Sequence, residues 1–194
     1  TLAFIGDATQ VCVSLMFIAS KVGMRFVQFG PKGHQIPDGG LHVGTVEERA
    51  EFGKQMMAIA EENCKVSGGS IVISDDIECI KGADFIYTDV WYGLYENEMP
   101  KEERVRVFHD YQVNREMMQM ASIGCKFMHC LPATRNEEVV DEVMDDPERS
   151  LCWVEAENRK HSIRALLAAL GKRTPLNDEG VEYSAKAELH AALE

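Results

Sequence analysis

The residues best suited to chemistry stand in short polar clusters that each follow an apolar run. Asp89, Trp91 and Tyr92 come directly after the apolar run 85–88. A carboxylate beside two aromatic rings can hold an ammonium group by ion pairing and cation–π contact. The same residues would also suit an ordinary turn, with Asp89 as its cap and Trp91 packed against the domain. The cluster is therefore a candidate amine site with a structural alternative.

A second cluster has the sequence His-Cys-Leu-Pro at 129–132 and follows the apolar run 126–128. His129, Cys130 and Cys125 could suggest a metal centre, but this spacing supplies no fourth ligand, so we predict no metal. Neighbouring side chains at a strand end point in opposite directions, which argues against a cysteine–histidine nucleophile pair. We therefore expect Cys130 to bind and polarise a ligand rather than to attack it.

The segment 6–10, Gly-Asp-Ala-Thr-Gln, follows the first apolar run and opens a predicted helix. Side chains at a helix N-terminus can meet a ligand, although a helix cap by Asp7 or Thr9 explains the segment equally well. It lacks Gly-x-Gly-x-x-Gly, and the chain contains no Walker loop. These absences argue against a dinucleotide or nucleoside triphosphate site.

The last cluster, Glu-Ala-Glu-Asn-Arg at 155–159, starts a helical pattern. Acidic residues are common at such a start because they complement the helix dipole. Arg159, however, has the fork geometry that grips phosphate or carboxylate. We therefore keep Arg159 as a candidate anion ligand.

The elements that must position these clusters alternate between short apolar runs and helical patterns. The predicted strands are 2–5, 25–29, 70–74, 85–88 and 126–128, and the predicted helices are 9–22, 46–62, 75–80, 99–108, 114–122, 136–144 and 157–170. This alternation predicts an α/β fold, a doubly wound parallel sheet flanked by helices. Ligands bind such sheets beyond the carboxyl ends of the strands, where the first three clusters stand.

The composition narrows the possible partners and compartments. The chain has 194 residues, 45% of them hydrophobic, and a net charge of −12. This charge argues against nucleic acid or an anionic membrane surface as a partner and favours a small cation. Six cysteines without a Cys-x-x-Cys pair favour a reduced, cytoplasmic protein. The chain opens without Met on a strand-like run, so we expect a further segment before Thr1.

Taken in order along the chain, the four clusters resemble the transcarbamoylase family up to about residue 171. The matching motifs are Gly-Asp-x-x-Gln, Asp-Val-Trp, His-Cys-Leu-Pro and Glu-Ala-Glu-Asn-Arg. The resemblance implies two α/β domains in a homotrimer that transfers a carbamoyl group from carbamoyl phosphate to an amine, without metal or organic cofactor. The family's Ser-Thr-Arg-Thr-Arg and His-Pro-x-Gln segments do not occur in these residues. The chain therefore resembles the amine-binding half alone.

The resemblance also implies roles for individual residues. Cys130 and Leu131 would contact the carbamoyl group and the amine, and Arg159 would help to hold carbamoyl phosphate. Cys130 and Arg159 are thus the catalytic candidates. The candidate substrate-binding residues are Gln10, Asp89, Trp91, Tyr92, His129, Cys130, Leu131, Pro132 and Ala133.

At two places the sequence differs from the ornithine enzymes of the family, and both bear on which amine is the substrate. Gln10 stands where ornithine enzymes carry an Asn, and the segment 92–94, Tyr-Gly-Leu, replaces the Ser-Met-Gly that reads the α-amino and α-carboxylate groups. The segment 92–96, Tyr-Gly-Leu-Tyr-Glu, and the helical tail beyond the last domain helix resemble the putrescine branch of the family, with carbamoyl phosphate and putrescine as substrates. The alternatives are an ornithine carbamoyltransferase, an aspartate enzyme, and an isolated non-catalytic amine-binding domain.

The sequence predicts three parts. Residues 1–155 form the amine-substrate-binding α/β domain, and 156–171 form a helix that is apolar on more than one face. By the resemblance, this helix packs back on an N-terminal carbamoyl-phosphate domain. Residues 172–194 read as a linker and a helical tail, which we expect to dock on a neighbouring subunit.

Overall fold

The computed structural model describes residues 1–38, 44–93 and 99–171. The chain divides into two compact units, Thr1–Cys152 and Trp153–Glu194. Every predicted site residue except Arg159 belongs to the first unit. The predicted linker and tail, 172–194, lie outside the described residues.

The first unit is built on five parallel strands in the order β3-β2-β1-β4-β5. The strands are β1 (Leu2–Ile5), β2 (Arg25–Phe29), β3 (Ser70–Ser74), β4 (Phe85–Thr88) and β5 (Lys126–His129). The chain runs outward from β1 to β3 and then returns to the other side of β1 with β4. This confirms the doubly wound parallel sheet and puts its topological switch point between β1 and β4.

Alternate residues of the strands supply two cores, one on each face of the sheet. Ala3 and Ile5 pack into the core that contains Phe127, whereas Phe4 packs with Phe26 into the other core. Successive strand side chains point to opposite faces, so a strand covered on both sides must be apolar throughout. The near-continuous apolar runs of the sequence are explained by this two-sided burial.

Helices of the first unit cover both faces of the sheet. They are α1 (Gln10–Lys21), α2 (Val46–Ser67), α3 (Lys101–Phe108), α4 (Arg115–Met120) and α5 (Asp141–Met144). The helix α6 (Cys152–Gly171) leads into the second unit. Short 3₁₀ turns occur at Ile36–Asp38, Ile77–Ile80 and His109–Tyr111. Thr9 caps α1 and accepts a hydrogen bond from the Cys12 amide at 3.3 Å, as the cap interpretation predicted.

The prediction of one helix over 136–144 is wrong, because only Asp141–Met144 is helical. Asn136 adopts a left-handed conformation with φ 64°, and its amide donates to the Val139 carbonyl at 2.8 Å. The carbonyl of Glu138 accepts instead from the Val113 amide at 2.8 Å. The backbone groups of this segment therefore bond to another part of the unit, which replaces the bonds a helix would make.

The helix α6 begins at Cys152 rather than at 157. Cys152 is its only buried residue. Its large apolar side chains are between 49% and 63% exposed; they are Trp153, Val154, Ile163, Leu166, Leu167 and Leu170. Among the described residues, no helix has both the length and the apolar character needed to cross a membrane.

Candidate active site

Three strand ends bring the first three polar clusters to one edge of the sheet. Ile5, the last residue of β1, lies opposite Thr88, and Thr88 lies opposite His129. The Thr88 hydroxyl donates to the Ile5 carbonyl at 2.8 Å, which ties the two central strand ends together. At Gly6 the chain turns away with φ 116°, a conformation that residues with a side chain rarely adopt. The edge lies at the switch point, where doubly wound sheets bind ligands.

Asp89 and Cys130 meet at this edge although 41 positions separate them. The Cys130 thiol donates to Asp89 Oδ1 at 3.0 Å, and the Val90 amide donates to the same oxygen at 2.8 Å. Asp89 is half-buried and Cys130 is exposed. The structure thus places a fixed carboxylate beside a thiol that a small ligand can reach.

His129 is buried and forms a hydrogen bond with the backbone of the loop 130–133. Its Nδ1 accepts from the Leu131 amide at 2.9 Å, so the ring proton lies on Nε2, which donates to Glu138 Oε1 at 3.2 Å. Both ring nitrogens are therefore engaged by the protein. His129 orients the loop, and its direct contact with substrate stays a prediction.

The loop itself has an unusual backbone. The Leu131–Pro132 peptide bond is cis, and Leu131 has φ 55°. A left-handed conformation costs a residue other than glycine about 1–2 kcal/mol, so the surrounding contacts must hold it. Leu131 and Ala133 are half-buried, whereas Pro132 is exposed. The loop therefore presents Cys130 and Pro132 to solvent.

Arg104 is a buried cation that ties the Asp89 loop to the rest of the unit. It is only 2% exposed, its Nη2 donates to Asp7 Oδ2, and its Nε donates to the Trp91 carbonyl. Its guanidinium lies over the Phe108 ring at 4.8 Å. The sequence analysis did not predict a role for Arg104. The only signal was its position four residues before Phe108 on a short helix, which puts both side chains on one face.

Trp91 and Tyr92 occupy different environments. Trp91 is 2% exposed and stacks on Phe108 with ring centroids 6.1 Å apart, as the packing alternative predicted. Its contact with an ammonium group stays a prediction. Tyr92 is 39% exposed, so it is the aromatic side chain of this cluster that solvent reaches.

Two carboxylates lie at this edge, Asp7 and Asp89, and Arg104 pairs with Asp7. Burial, reinforced by the negative charges of Asp7 and Asp89, raises the pKa of the Cys12 thiol well above its usual value. Cys12 lies in the first turn of α1, two residues after Gln10, whose side chain is exposed. Asp89 therefore gives this edge a carboxylate that suits a cation.

Arg159 lies on α6 in the second unit, where its side chain is exposed. Its carbonyl accepts a hydrogen bond from the Ser162 hydroxyl at 3.0 Å. Its role toward carbamoyl phosphate stays a prediction. Among the residues that the structure describes, no group of three or more His, Cys, Asp or Glu could hold a metal ion.

Comparison with known proteins identifies the family. Residues 1–170 match the aspartate/ornithine carbamoyltransferase, Asp/Orn binding domain. The chain belongs to the aspartate/ornithine carbamoyltransferase family. This confirms the resemblance at the level of the family.

Relatives in this family carry two different substrate names. The chain is 42% identical over 166 residues to a putrescine carbamoyltransferase of Mycoplasma mycoides, a match that covers 84% of this chain and 40% of the relative. It is 40% identical over 168 residues to an ornithine carbamoyltransferase of Pyrococcus horikoshii, covering 86% and 47%. The chain therefore spans about half the length of the curated relatives it matches.

Solved structures of the family share the fold. Ornithine carbamoyltransferase from Pyrococcus furiosus matches with a TM-score of 0.71 at 37% identity, covering 86% of this chain and 48% of that one. The anabolic enzyme from Campylobacter jejuni matches with a TM-score of 0.73 at 26% identity, covering 88% and 51%. Both support the parallel sheet flanked by helices.

Proposed function

We propose that this chain is the amine-binding half of a carbamoyltransferase that uses carbamoyl phosphate and putrescine. Membership in the family supports the class of reaction. The observation that carries the amine site is the contact between Asp89 and Cys130 at 3.0 Å, because it joins a cation-binding carboxylate to the proposed carbamoyl contact. The Asp89 carboxylate suits a diamine.

The reaction sets two requirements on the amine. A putrescine amine has a pKa of about 10.4, like lysine, so presenting its neutral form at pH 7 costs about 4–5 kcal/mol. The reacting nitrogen must lose its proton before it attacks the carbonyl carbon of carbamoyl phosphate. The bond from that carbon to the phosphate oxygen then breaks, and inorganic phosphate leaves. The other amine stays charged, and Asp89 with the Tyr92 ring is suited to hold it.

The electrostatics support putrescine over ornithine. Ornithine would bring a carboxylate, and a buried unpaired carboxylate costs several kcal/mol. Of the three cations of α3, Arg104 pairs with Asp7 and Lys101 with Glu137 at 2.7 Å, while Arg106 is exposed and donates to the Glu102 carbonyl. Putrescine has only a methylene group in place of that carboxylate.

Ornithine remains the second candidate, since relatives named for ornithine and for putrescine are similarly close, at 40% and 42% identity. A non-catalytic amine-binding domain is the third. Steady-state kinetics separate all three, using a full-length protein that carries this chain and saturating carbamoyl phosphate. We expect kcat/KM for putrescine to exceed that for ornithine by at least about a hundredfold, or roughly 2.7 kcal/mol.

Equal or ornithine-favouring values would overturn the assignment to putrescine and leave the family unchanged. Amine binding without transfer of a carbamoyl group would favour the non-catalytic domain. As a control, residues 1–194 alone should transfer nothing above the buffer rate. Arg159 is the single phosphate-binding arginine that the resemblance assigns to these residues.

Further proposals concern the assembly. We propose that 156–171 packs on the carbamoyl-phosphate half, and the half-exposed apolar residues of α6 support this. We also propose that 1–155 is the amine-binding domain, that 172–194 docks on a neighbouring subunit, and that the whole protein is a cytoplasmic homotrimer without metal or cofactor.

A further inference from the structure

Glu138 is a fully buried carboxylate that none of the sequence motifs contains. Its Oε1 accepts from His129 Nε2 at 3.2 Å and from the Thr134 amide at 2.5 Å. These two donors bracket the loop 130–133, which carries Cys130. One oxygen atom therefore joins the two ends of the loop.

Glu138 is itself attached to a rigid part of the unit. Its carbonyl accepts from the amide of Val113, a core residue, at 2.8 Å. The adjacent carbonyl of Glu137 accepts from Gln112 Nε2 at 2.7 Å. The position of the carboxylate is thus set by the core, and the loop takes its position from the carboxylate.

The same hydrogen bonds continue toward Cys130. His129 donates to Glu138 and accepts from the Leu131 amide at 2.9 Å, which helps to hold Leu131 in its left-handed conformation. Cys130 lies between these two residues and reaches Asp89 Oδ1 at 3.0 Å. Breaking a buried link of this kind leaves its partner unsatisfied.

We propose that Glu138 is a positioning residue for Cys130, and that it acts through Oε1 as a double hydrogen-bond acceptor. It does not touch substrate. Its effect on carbamoyl transfer rests on the proposed function, whereas its effect on the position of Cys130 does not.

The structure defines variants that separate geometry from charge. Glu138 Oε2 is buried and has no hydrogen-bond partner among the described residues, so E138Q can present the same acceptor without the charge. E138L removes the acceptor. H129N removes the bond to Glu138 and offers its side-chain oxygen in place of Nδ1, which accepts from the Leu131 amide and lies 4.0 Å from Cys130 Sγ. E137Q is the matched control, since Glu137 pairs with Lys101 through its side chain.

The first measurement is the alkylation rate of Cys130 by iodoacetamide, read by peptide mass spectrometry in the full-length protein without substrates. The buried thiols Cys12, Cys125 and Cys152 report any general opening of the fold. Loss of the hydrogen bond to Asp89 should make the Cys130 sulfur more reactive toward iodoacetamide. We expect E138L and H129N to label Cys130 at least about fivefold faster, with the buried thiols unchanged. E138Q and E137Q should stay within about twofold of the wild type.

The second measurement is steady-state kinetics with carbamoyl phosphate and putrescine. A misplaced group lowers the rate of the chemical step more than it lowers binding, so E138L and H129N should reduce kcat at least about thirtyfold. KM for carbamoyl phosphate should change by less than about threefold, and E138Q should keep kcat within about fivefold.

Three results would overturn the proposal. One is unchanged Cys130 labelling in H129N, which decides the matter even if E138L does not fold. Another is equal acceleration at Cys130 and the buried thiols, which would show a general structural role. The third is an E138Q variant as impaired as E138L. If the labelling behaves as expected but the wild type transfers no carbamoyl group, the proposed function fails and the positioning role stands.

Discussion

The helices α1 and α6 differ in how much of their apolar surface is covered. Within its 12 residues α1 buries Cys12, Val13, Met16, Ala19 and Ser20. The 20 residues of α6 bury only Cys152, and the six large apolar side chains of α6 are about half exposed. Both helices carry apolar surface, but only α1 belongs to the unit that contains the sheet. The first unit therefore completes its own core, whereas α6 displays surface that suits a partner.

If activity resides at the edge of the first unit, the largest effect should come from Asp89. Asparagine keeps the oxygen that accepts from Cys130 and Val90 but removes the charge that pairs with an ammonium group. We expect D89N to lower kcat/KM for putrescine about a thousandfold in the full-length protein. Steady-state kinetics measure kcat/KM. The control is D110N, because the Asp110 side chain is far more exposed than that of Asp89, and its kcat/KM should stay within about twofold of the wild type. A D89N enzyme with normal kcat/KM would show that Asp89 does not bind the amine.

The next largest effect tests the buried ion pair that holds the Asp89 loop. In R104M the Asp7 carboxylate remains buried without its cation, so we expect a loss of about 3–5 kcal/mol in the free energy of unfolding. Urea denaturation of the chain measures this. On the same helix, K101M breaks the partly exposed pair with Glu137 and should cost less than about 1 kcal/mol. Similar losses for both variants would mean that burial does not govern the strength of these pairs.

A direct test of the comparison truncates one apolar side chain on each helix. Met16 is fully buried, whereas Leu166 is 54% exposed. M16A should lower the free energy of unfolding of this chain by about 2–4 kcal/mol, because it leaves a cavity. L166A should change it by no more than about 0.5 kcal/mol. An equal loss from L166A would show that α6 is already covered within this chain.

The smallest effect is a pH dependence that the core should show. Burial raises the pKa of the Cys125 thiol to about 11, above its usual value. As pH rises through the usual thiol pKa, the unfolded chain releases this proton while the folded chain keeps it. The free energy of unfolding should therefore fall between about pH 9 and pH 11, by up to about 1 kcal/mol per pH unit.

Urea denaturation at several pH values under reducing conditions measures this slope. C125A should show a shallower slope than the wild type. Cys12 and Cys79 add to the wild-type slope in the same direction, because burial raises the pKa of each of these thiols. An identical slope in C125A would assign the whole effect to other groups.

The sequence by itself determined the sheet and the edge that carries the candidate site. Strands covered on both faces must be apolar throughout, so their runs stood out against the polar turns, and four of the five strands were predicted at the observed bounds. The parallel order then follows from the alternation with helices. Polar residues placed directly after such strands had to meet at one edge.

Tertiary structure alone decided which charged residues are buried. Glu137 and Glu138 are adjacent and identical in type, yet one pairs with Lys101 near the surface while the other closes the Cys130 loop. Arg104 reaches Asp7 across 97 positions. No local pattern records such partners, since a charge is buried only where the fold supplies its counter-charge and hydrogen bonds. Residues 136–140 were predicted to be helical and are not, and the reason is again a distant partner. Their backbone groups form hydrogen bonds with another segment of the unit, such as the bond from the Val113 amide to the Glu138 carbonyl.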